Sequence, residues 1–252
     1  MLDKMNSIYT GTSGLVLPFP NKLSYPPEFR DKSRLTYYSS LFNSIEINSS
    51  FYKVPQASTV QKWAESVPPS FQFTFKVSRE ITHVKSLAFK NEDVDHFMQA
   101  VNGAGLNKGC LLLQFPPGLQ SENLDQLAKL LNHIRQNNPG NQWKIAVEFR
   151  NPSWYQQNCL EILQQNNATI VMHDMPSSGI FNINQNTDFV YLRFHGANGD
   201  YRGSYTDDFL HEYAEYISSW KEEGRTIYVY FNNTRGEAIH NLILLNSFLE
   251  DK

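Results

Sequence analysis

Eight short runs rich in β-branched and aromatic residues, separated by longer stretches with helical spacing, leave few folds open to this chain of 252 residues. The runs are Ile8 to Thr12, Ser44 to Asn48, Phe71 to Val77, Cys110 to Gln114, Lys144 to Phe149, Thr169 to His173, Phe189 to Phe194 and Ile227 to Phe231. Helical spacing marks Asp31 to Phe42, Ser58 to Ser66, Asn91 to Asn102, Ser121 to Gln136, Tyr155 to Asn166, Asp207 to Glu223 and Glu237 to Leu249. Strands that alternate with helices call for a parallel sheet with right-handed crossovers. Eight such units fit a TIM-like (β/α)8 barrel better than an open doubly wound sheet, which has fewer strands and a glycine-rich first turn. One unit departs from the pattern. Asp174 to Asp188 holds Pro176, Gly179 and two serines without helical periodicity, so the barrel is expected to be irregular, its sixth helix missing or replaced by a loop. No internal repeat or Gly/Ser-rich linker divides residues 1–252, and a single domain is expected.

Alternation within the strands assigns one parity to each face. Ile45 and Ile47, Phe71, Phe73 and Phe75, Leu111 and Leu113, Ile145, Val147 and Phe149, Leu192 and Phe194, and Ile227, Val229 and Phe231 suit packing against outer helices. The other parity carries Ser44, Glu46 and Asn48, Thr74 and Lys76, Gln114, Glu148 and Arg150, Tyr191, Arg193 and His195, and Tyr228, Tyr230 and Asn232. That face must point into the barrel. Its polar members sit at carboxyl-terminal strand ends, the face on which barrel enzymes build their sites. Burying Glu46, Lys76, Glu148 and Arg150 there costs several kcal/mol per ion unless they pair or stay wet. Two readings follow: a water-filled ligand pocket, or a buried network in which Arg150 pairs with Glu148 and Arg193 with Glu46.

Composition narrows the partners. A formal net charge of −3, from 22 basic and 25 acidic residues, supplies no overall field for polyanions, so any phosphate contact must be local. No run approaches the roughly 18 apolar residues of a membrane span, and Met1-Leu2-Asp3-Lys4-Met5-Asn6 lacks a signal-peptide core. A cytoplasmic protein with no membrane partner is expected. Cys110 and Cys159 read as two buried thiols.

Separated blocks of the chain closely resemble the domain-of-unknown-function-72 family, also called YecE-like. They are Gly11-Thr12-Ser13-Gly14; Tyr37-Tyr38, then Ile45-Glu46-Ile47-Asn48-Ser49-Ser50-Phe51-Tyr52 and Pro55; Phe75-Lys76-Val77 with Ile81-Thr82-His83; and Leu113-Gln114-Phe115-Pro116-Pro117. Further on come Glu148-Phe149-Arg150-Asn151-Pro152-Ser153-Trp154, Tyr191-Leu192-Arg193-Phe194-His195-Gly196 and Tyr230-Phe231-Asn232-Asn233. The resemblance implies a TIM-barrel-like fold and names no reaction. One position departs: Leu15 stands where the family usually has Trp after the first glycine motif.

Among the residues themselves, Glu46 and Glu148 are the candidate acid and base, since two carboxylates in different surroundings divide proton-transfer roles. Arg150 favours the charged form of Glu148 and makes it the better base. Lys76 suits anion binding or, if deprotonated, attack on a carbonyl. His195 completes the catalytic set. Asn48, Tyr52, Gln114, Arg150, Trp154, Arg193, Tyr230, Asn232 and Asn233 are the candidate substrate contacts. The segments His195 to Gly203 and Asn232 to Gly236, with Arg193, Arg202 and Arg235, stand where barrels often bind phosphate. No cofactor motif is present; the alternative is a divalent metal held by Glu46, Glu148, His173, Asp174 and His195.

Three functions compete. The leading one is acid/base chemistry on a small anionic or carbohydrate-like ligand, whether hydrolysis, isomerisation or lyase chemistry. The second is a metal-dependent phosphodiesterase acting on nucleic acid, and the third is binding of a metabolite without turnover.

Overall fold

The computed structural model describes residues 7–176 and 187–250. In chain order the elements are β1 (Ile8–Thr12), α1 (Arg34–Leu41), β2 (Ser44–Ile47), α2 (Ser49–Tyr52), α3 (Ala57–Glu65), β3 (Gln72–Lys76), α4 (Arg79–Thr82) and α5 (Asn91–Val101). They continue with β4 (Lys108–Gln114), α6 (Leu124–Gln136), β5 (Lys144–Glu148), α7 (Gln157–Gln165), β6 (Ala168–Ile170), β7 (Met172–His173), β8 (Phe189–Phe194), α8 (Asp207–Glu222), β9 (Thr226–Phe231) and α9 (Ala238–Glu250). All ladders are parallel, and the fold is the irregular TIM-like α/β barrel that the alternation predicts. Buried positions on the longer helices recur at helical spacing: Leu127, Leu130, Leu131 and Ile134 on α6, and Leu210, Tyr213, Ala214 and Ile217 on α8. Thr206 caps α8 by accepting the Phe209 N–H at 3.3 Å. No helix among the described residues is long and apolar enough to cross a membrane.

The strands divide into two sheets, ordered β1-β9-β8-β7 and β2-β3-β4-β5-β6, and the ladder is open at both seams. At one seam the sixth strand, predicted as a single run from Thr169 to His173, is handed from one sheet to the other. Its first part pairs with β5, Val171 N–H donates to Val147 O at 2.9 Å, and Met172 and His173 pair with β8. The expectation that no helix fills Asp174 to Asp188 falls largely on residues 177–186, which lie outside the described residues.

At the other seam β1 and β2 share a single bridge, Ser13 to Glu46, with Gly14 N–H donating to Glu46 O at 2.7 Å. Side chains replace the missing ladder. Tyr38 Oη accepts the Thr12 N–H at 2.8 Å and donates to Ser44 O at 3.1 Å. Asn43 accepts the Thr10 N–H and donates to Ile8 O, both at 2.8 Å. Gly11 permits the close approach, since a Cβ there would stand 2.1 Å from Ser44 O.

The two parities face as the alternation requires. Phe73, Phe75, Leu111, Leu113, Ile145, Val147, Leu192, Phe194, Ile227, Val229 and Phe231 join the core beneath the helices. Tyr9, Cys110, Leu112, Ala146, Val171, Phe189, Tyr191, Tyr228 and Tyr230 form a separate cluster inside the strands. Polar tips in that inner cluster are satisfied across the barrel: the Tyr230 hydroxyl meets Ser44 Oγ at 2.6 Å and Thr74 Oγ1 at 2.7 Å. Cys110 and Cys159 are buried and free.

Tyr38→Phe keeps the ring but strips the Thr12 N–H of its buried acceptor at the open seam. The expected cost is about 1–3 kcal/mol, read as a lower denaturant midpoint at unchanged slope. A variant as stable as the parent would show that the seam does not depend on this hydroxyl.

Candidate active site

Above the inner tyrosines, strands β2, β5, β7 and β8 deliver charged side chains to the carboxyl-terminal end of the barrel. Arg193 is their hub. Its Nη2 lies 2.8 Å from Glu46 Oε1 and its Nε 3.0 Å from Glu46 Oε2. Its Nη1 donates to Glu148 Oε2 at 3.1 Å and to His195 Nε2 at 2.9 Å. Ser13 Oγ and Tyr191 Oη each donate to Glu46 at 2.6 Å. Arg150 closes on the other oxygen of Glu148 through Nε and Nη2, and that Nη2 also reaches His195 Nε2 at 2.9 Å.

His195 is held in one state by its neighbours. Two guanidinium donors face Nε2, which must therefore be the acceptor, so the proton sits on Nδ1 and is donated to Asp174 Oδ1 at 3.2 Å. The His195 N–H donates to the same oxygen at 2.7 Å, and Tyr205 Oη donates to the other oxygen of Asp174. Burial lowers the His195 pKa to about 4 although the Asp174 bond opposes it, and the ring stays neutral at ordinary pH. His173 packs edge-on against it, with ring centroids 5.7 Å apart. His173 and Asp174 turn to the same side because β7 has ended by then.

Burial alone would raise both carboxyls, yet both stand below the ordinary range. Arg193 with its hydrogen bonds, Ser13 and Tyr191 outweigh burial at Glu46, while Arg150, Arg193 and the two histidines hold Glu148 well below. Glu46, Glu148 and His195 are fully buried and Arg193 is 2% exposed, so these four form a paired network rather than the lining of a wet pocket. The pairs Arg150–Glu148 and Arg193–Glu46 are those of the second reading.

Lys76 is different. Its residue is half-buried, and Nζ rests 4.2 Å from the centroid of the Phe51 ring. Among the described residues no carboxylate lies within salt-bridge distance of it. Burial and then the Arg193 charge pull its pKa down to about 8 against the opposing pull of Glu148 and Glu46. Asn48, which follows β2 at the start of α2, has a buried Oδ1 with no hydrogen-bond donor. Arg150, its side chain 9% exposed, is engaged through Nε and Nη2, and Nη1 is the nitrogen left over.

The other expected contacts are placed as follows. Trp154 is fully buried in the outer core, stacked 4.7 Å from Phe149, with its indole N–H on Leu119 O at 2.8 Å; it does not reach the mouth. Tyr52 is 73% exposed at the end of α2. Tyr230 lies in the inner cluster, and Gln114 Nε2 donates to the Phe115 carbonyl at 2.8 Å. Asn232 is buried beside its strand end, while Asn233 Nδ2 braces Gly203 O at 3.1 Å and Asn241 Oδ1 at 2.9 Å. In the expected phosphate loops, amides face the protein's own carbonyls: Arg235 N–H donates to Tyr201 O at 3.1 Å and Glu237 N–H to Gly203 O at 3.0 Å. Arg202 and Arg235 are exposed, and Leu15 packs half-buried on the outer core. The expected metal donors already face guanidiniums or one another, and no group of three or more His, Cys, Asp or Glu among the described residues is arranged to hold a metal ion. Sequence reasoning missed Ser13 and Tyr205 as partners of the acids. Ser13 stood in the glycine motif, whereas nothing in the sequence marked Tyr205.

Fold and site together define an α/β barrel with an ionic cluster across its carboxyl-terminal mouth. The chain belongs to the family described as "Protein of unknown function DUF72", whose profile matches residues 9–252. It is 27% identical over 244 residues to the UPF0759 protein YunF of Bacillus subtilis, covering 84% of each chain. The crystal structure of a DUF72 family protein from Thermotoga maritima superposes with a TM-score of 0.76 at 26% identity, covering 96% of this chain and 99% of that one. A D-tagatose 3-epimerase-like protein shares the fold at TM-score 0.57 and 17% identity, over 96% and 97% of the two chains.

Glu148→Gln leaves Arg150 and Arg193 with an uncharged partner in a buried site, at an expected cost of about 3–5 kcal/mol. The pH dependence follows from the same pairing. Both carboxyls are depressed in the folded state, so their contribution is complete above the unfolded carboxylate pKa, about 4.3, and is lost as pH falls through the folded values. His195, depressed to about 4, adds an earlier loss that begins below about pH 6.5, where the unfolded ring takes its proton first. Stability against pH should therefore fall in two stages, and Glu148→Gln should flatten the lower one. An unchanged lower limb would remove Glu148 from the account.

Proposed function

We propose that this protein is an enzyme that performs acid/base chemistry on a small hydroxylated anion held at the carboxyl-terminal mouth of the barrel. One observation carries the reading: Lys76 is the cation of the cluster that lacks a carboxylate partner among the described residues, and the charges of Arg193 and Arg150 both act on it. A partly buried ammonium without a counter-ion favours an anionic guest, which would restore the charge balance that burial disturbs. The orphaned Oδ1 of Asn48 asks for a hydrogen-bond donor, and a ligand hydroxyl supplies one. A carboxylated or phosphorylated polyol meets both demands.

Roles follow from protonation states. With a pKa of about 8, Lys76 changes charge near neutrality and is the group suited to move a proton. Arg150 orients the anionic group through Nη1, the nitrogen that Glu148 and His195 leave unused. Glu148, the base favoured by sequence alone, has both oxygens engaged by guanidiniums, so its part is to position Arg150. Glu46 does the same for Arg193, and neutral His195 accepts from both arginines.

The test is thermal unfolding with inorganic phosphate and with glycerate. The native protein should gain stability with anion concentration, by about 2.7 kcal/mol at a hundred-fold excess over Kd. Lys76→Met, which keeps the stem against Phe51, should fold and lose that response. No anion-dependent gain in the native protein, or an equal gain in Lys76→Met, would reject the site.

A further inference from the structure

We infer that Lys76 is a nucleophile, condensing through Nζ with the carbonyl carbon of an anionic aldehyde or ketone to form an imine at the barrel mouth. The inference rests on the anion site proposed above and adds a covalent step to it.

Three features of the geometry converge. The amine lies over an aromatic face, 4.2 Å from the Phe51 centroid, and His83 meets the same ring edge-on with centroids 4.8 Å apart. The ring face attracts a cation weakly but accepts no conventional hydrogen bond, so it does not replace the carboxylate that would hold an ammonium, and it leaves the lone pair unengaged by hydrogen bonds. The carboxylates that would hold an ammonium, Glu46 and Glu148, are turned onto Arg193 and Arg150 instead. The guanidinium of Arg150, whose charge acts on the amine, takes the anionic end of a substrate and thereby brings its carbonyl toward Lys76.

The charged groups that act on this amine come from three strands: Glu46 on β2, Glu148 and Arg150 at the end of β5, and Arg193 on β8, while His83, on the α4 side, is neutral at ordinary pH with its pKa lowered to about 4 by burial and then by Lys76 and Arg79. The cations among them and burial together prevail over the two acids, so at neutral pH the unprotonated fraction of Lys76 is on the order of a hundred-fold that of a surface lysine. The step balances without a further reactant. The ammonium first releases a proton to solvent; the free amine adds to the carbonyl carbon; the carbinolamine then leaves one water and a C=N bond. Neither oxidant nor reductant is consumed, and hydrolysis returns the amine.

Glyoxylate, the smallest anionic aldehyde, is the probe. The full chain is incubated with glyoxylate and cyanoborohydride at neutral pH, which converts any imine into a stable carboxymethyl amine, and the site is read by peptide mass mapping. Lys76 should be modified about ten-fold or more ahead of every other lysine, and inorganic phosphate should slow it. Uncharged acetaldehyde should show a smaller preference, because it cannot use Arg150. Lys76→Arg, which keeps the charge, should fold and show only the slow background at other lysines. Modification spread evenly over surface lysines overturns the nucleophile. If that even spread accompanies phosphate stabilisation that Lys76→Met abolishes, the anion site survives without covalent chemistry; if the stabilisation is absent too, both readings fall together.

Discussion

Two carboxylates are sealed at the mouth of this barrel, and the arrangement of the rest follows from what keeps them ionised there. Moving such groups out of water costs several kcal/mol each unless geometry and hydrogen bonding repay it. Arg193 meets the demand from β8 by reaching across the barrel to Glu46 on β2 and Glu148 on β5 with different nitrogens of one planar group. A lysine at this position would present a single point charge and leave one acid short of donors. The guanidinium thus works as a strut between strands of two sheets whose ladders do not join, β2 and β5 in one and β8 in the other. Below it, Tyr191 carries the same connection into the inner tyrosine cluster through Glu46.

The network has a directional consequence. Within it, Glu46 and Glu148 are matched by Arg193 and Arg150, and the charge of Asp174 lies behind the His195 ring, spent on that ring and on Tyr205. Lys76 is left over. Because the acids are drawn toward the arginines, the lysine faces an aromatic ring rather than a carboxylate, and this spatial segregation of charge is what the proposed anion site rests on. The arginines are also held by groups on or next to strand ends, so little side-chain entropy remains for them to lose in the binding proposed for Arg150.

Much of this was legible in the alternation of the strands. Parity alone separated Ile45, Phe73, Leu111 and Val147 from Glu46, Thr74, Glu148 and Arg193, because the pleat forces neighbours to opposite faces whatever the tertiary context. What parity cannot express is distance past the strand end. Trp154 follows Glu148-Phe149-Arg150 in one motif, but β5 stops at Glu148, and after the turn the indole falls under the outer helices. Tyr52 was displaced in the same way by a one-turn helix that starts directly after β2, where Asn48 already has φ −81° and ψ −21°. Pairing was equally hidden. The sequence presents acids and bases on one face without saying which meet, and the hand-over at Val171 depends on two sheets meeting rather than on any local residue preference. Tyr205, whose hydroxyl fixes Asp174, lies in a loop where periodicity is silent.

A cluster this completely paired raises the question of why it is ionic at all, since a hydrophobic replacement of similar volume is often as stable or more so. Stability by itself does not require two acids, two arginines and a neutral histidine in one place. The arrangement makes physical sense if its product is orientation: Arg150 is gripped through Nε and Nη2 by Glu148 and His195, and its charge acts on an amine poised near neutrality. An apolar core could fill the same space but could not hold a guanidinium in that attitude. The desolvation cost of the buried ions is therefore better understood as the energetic cost of preorganising the two cations at the mouth.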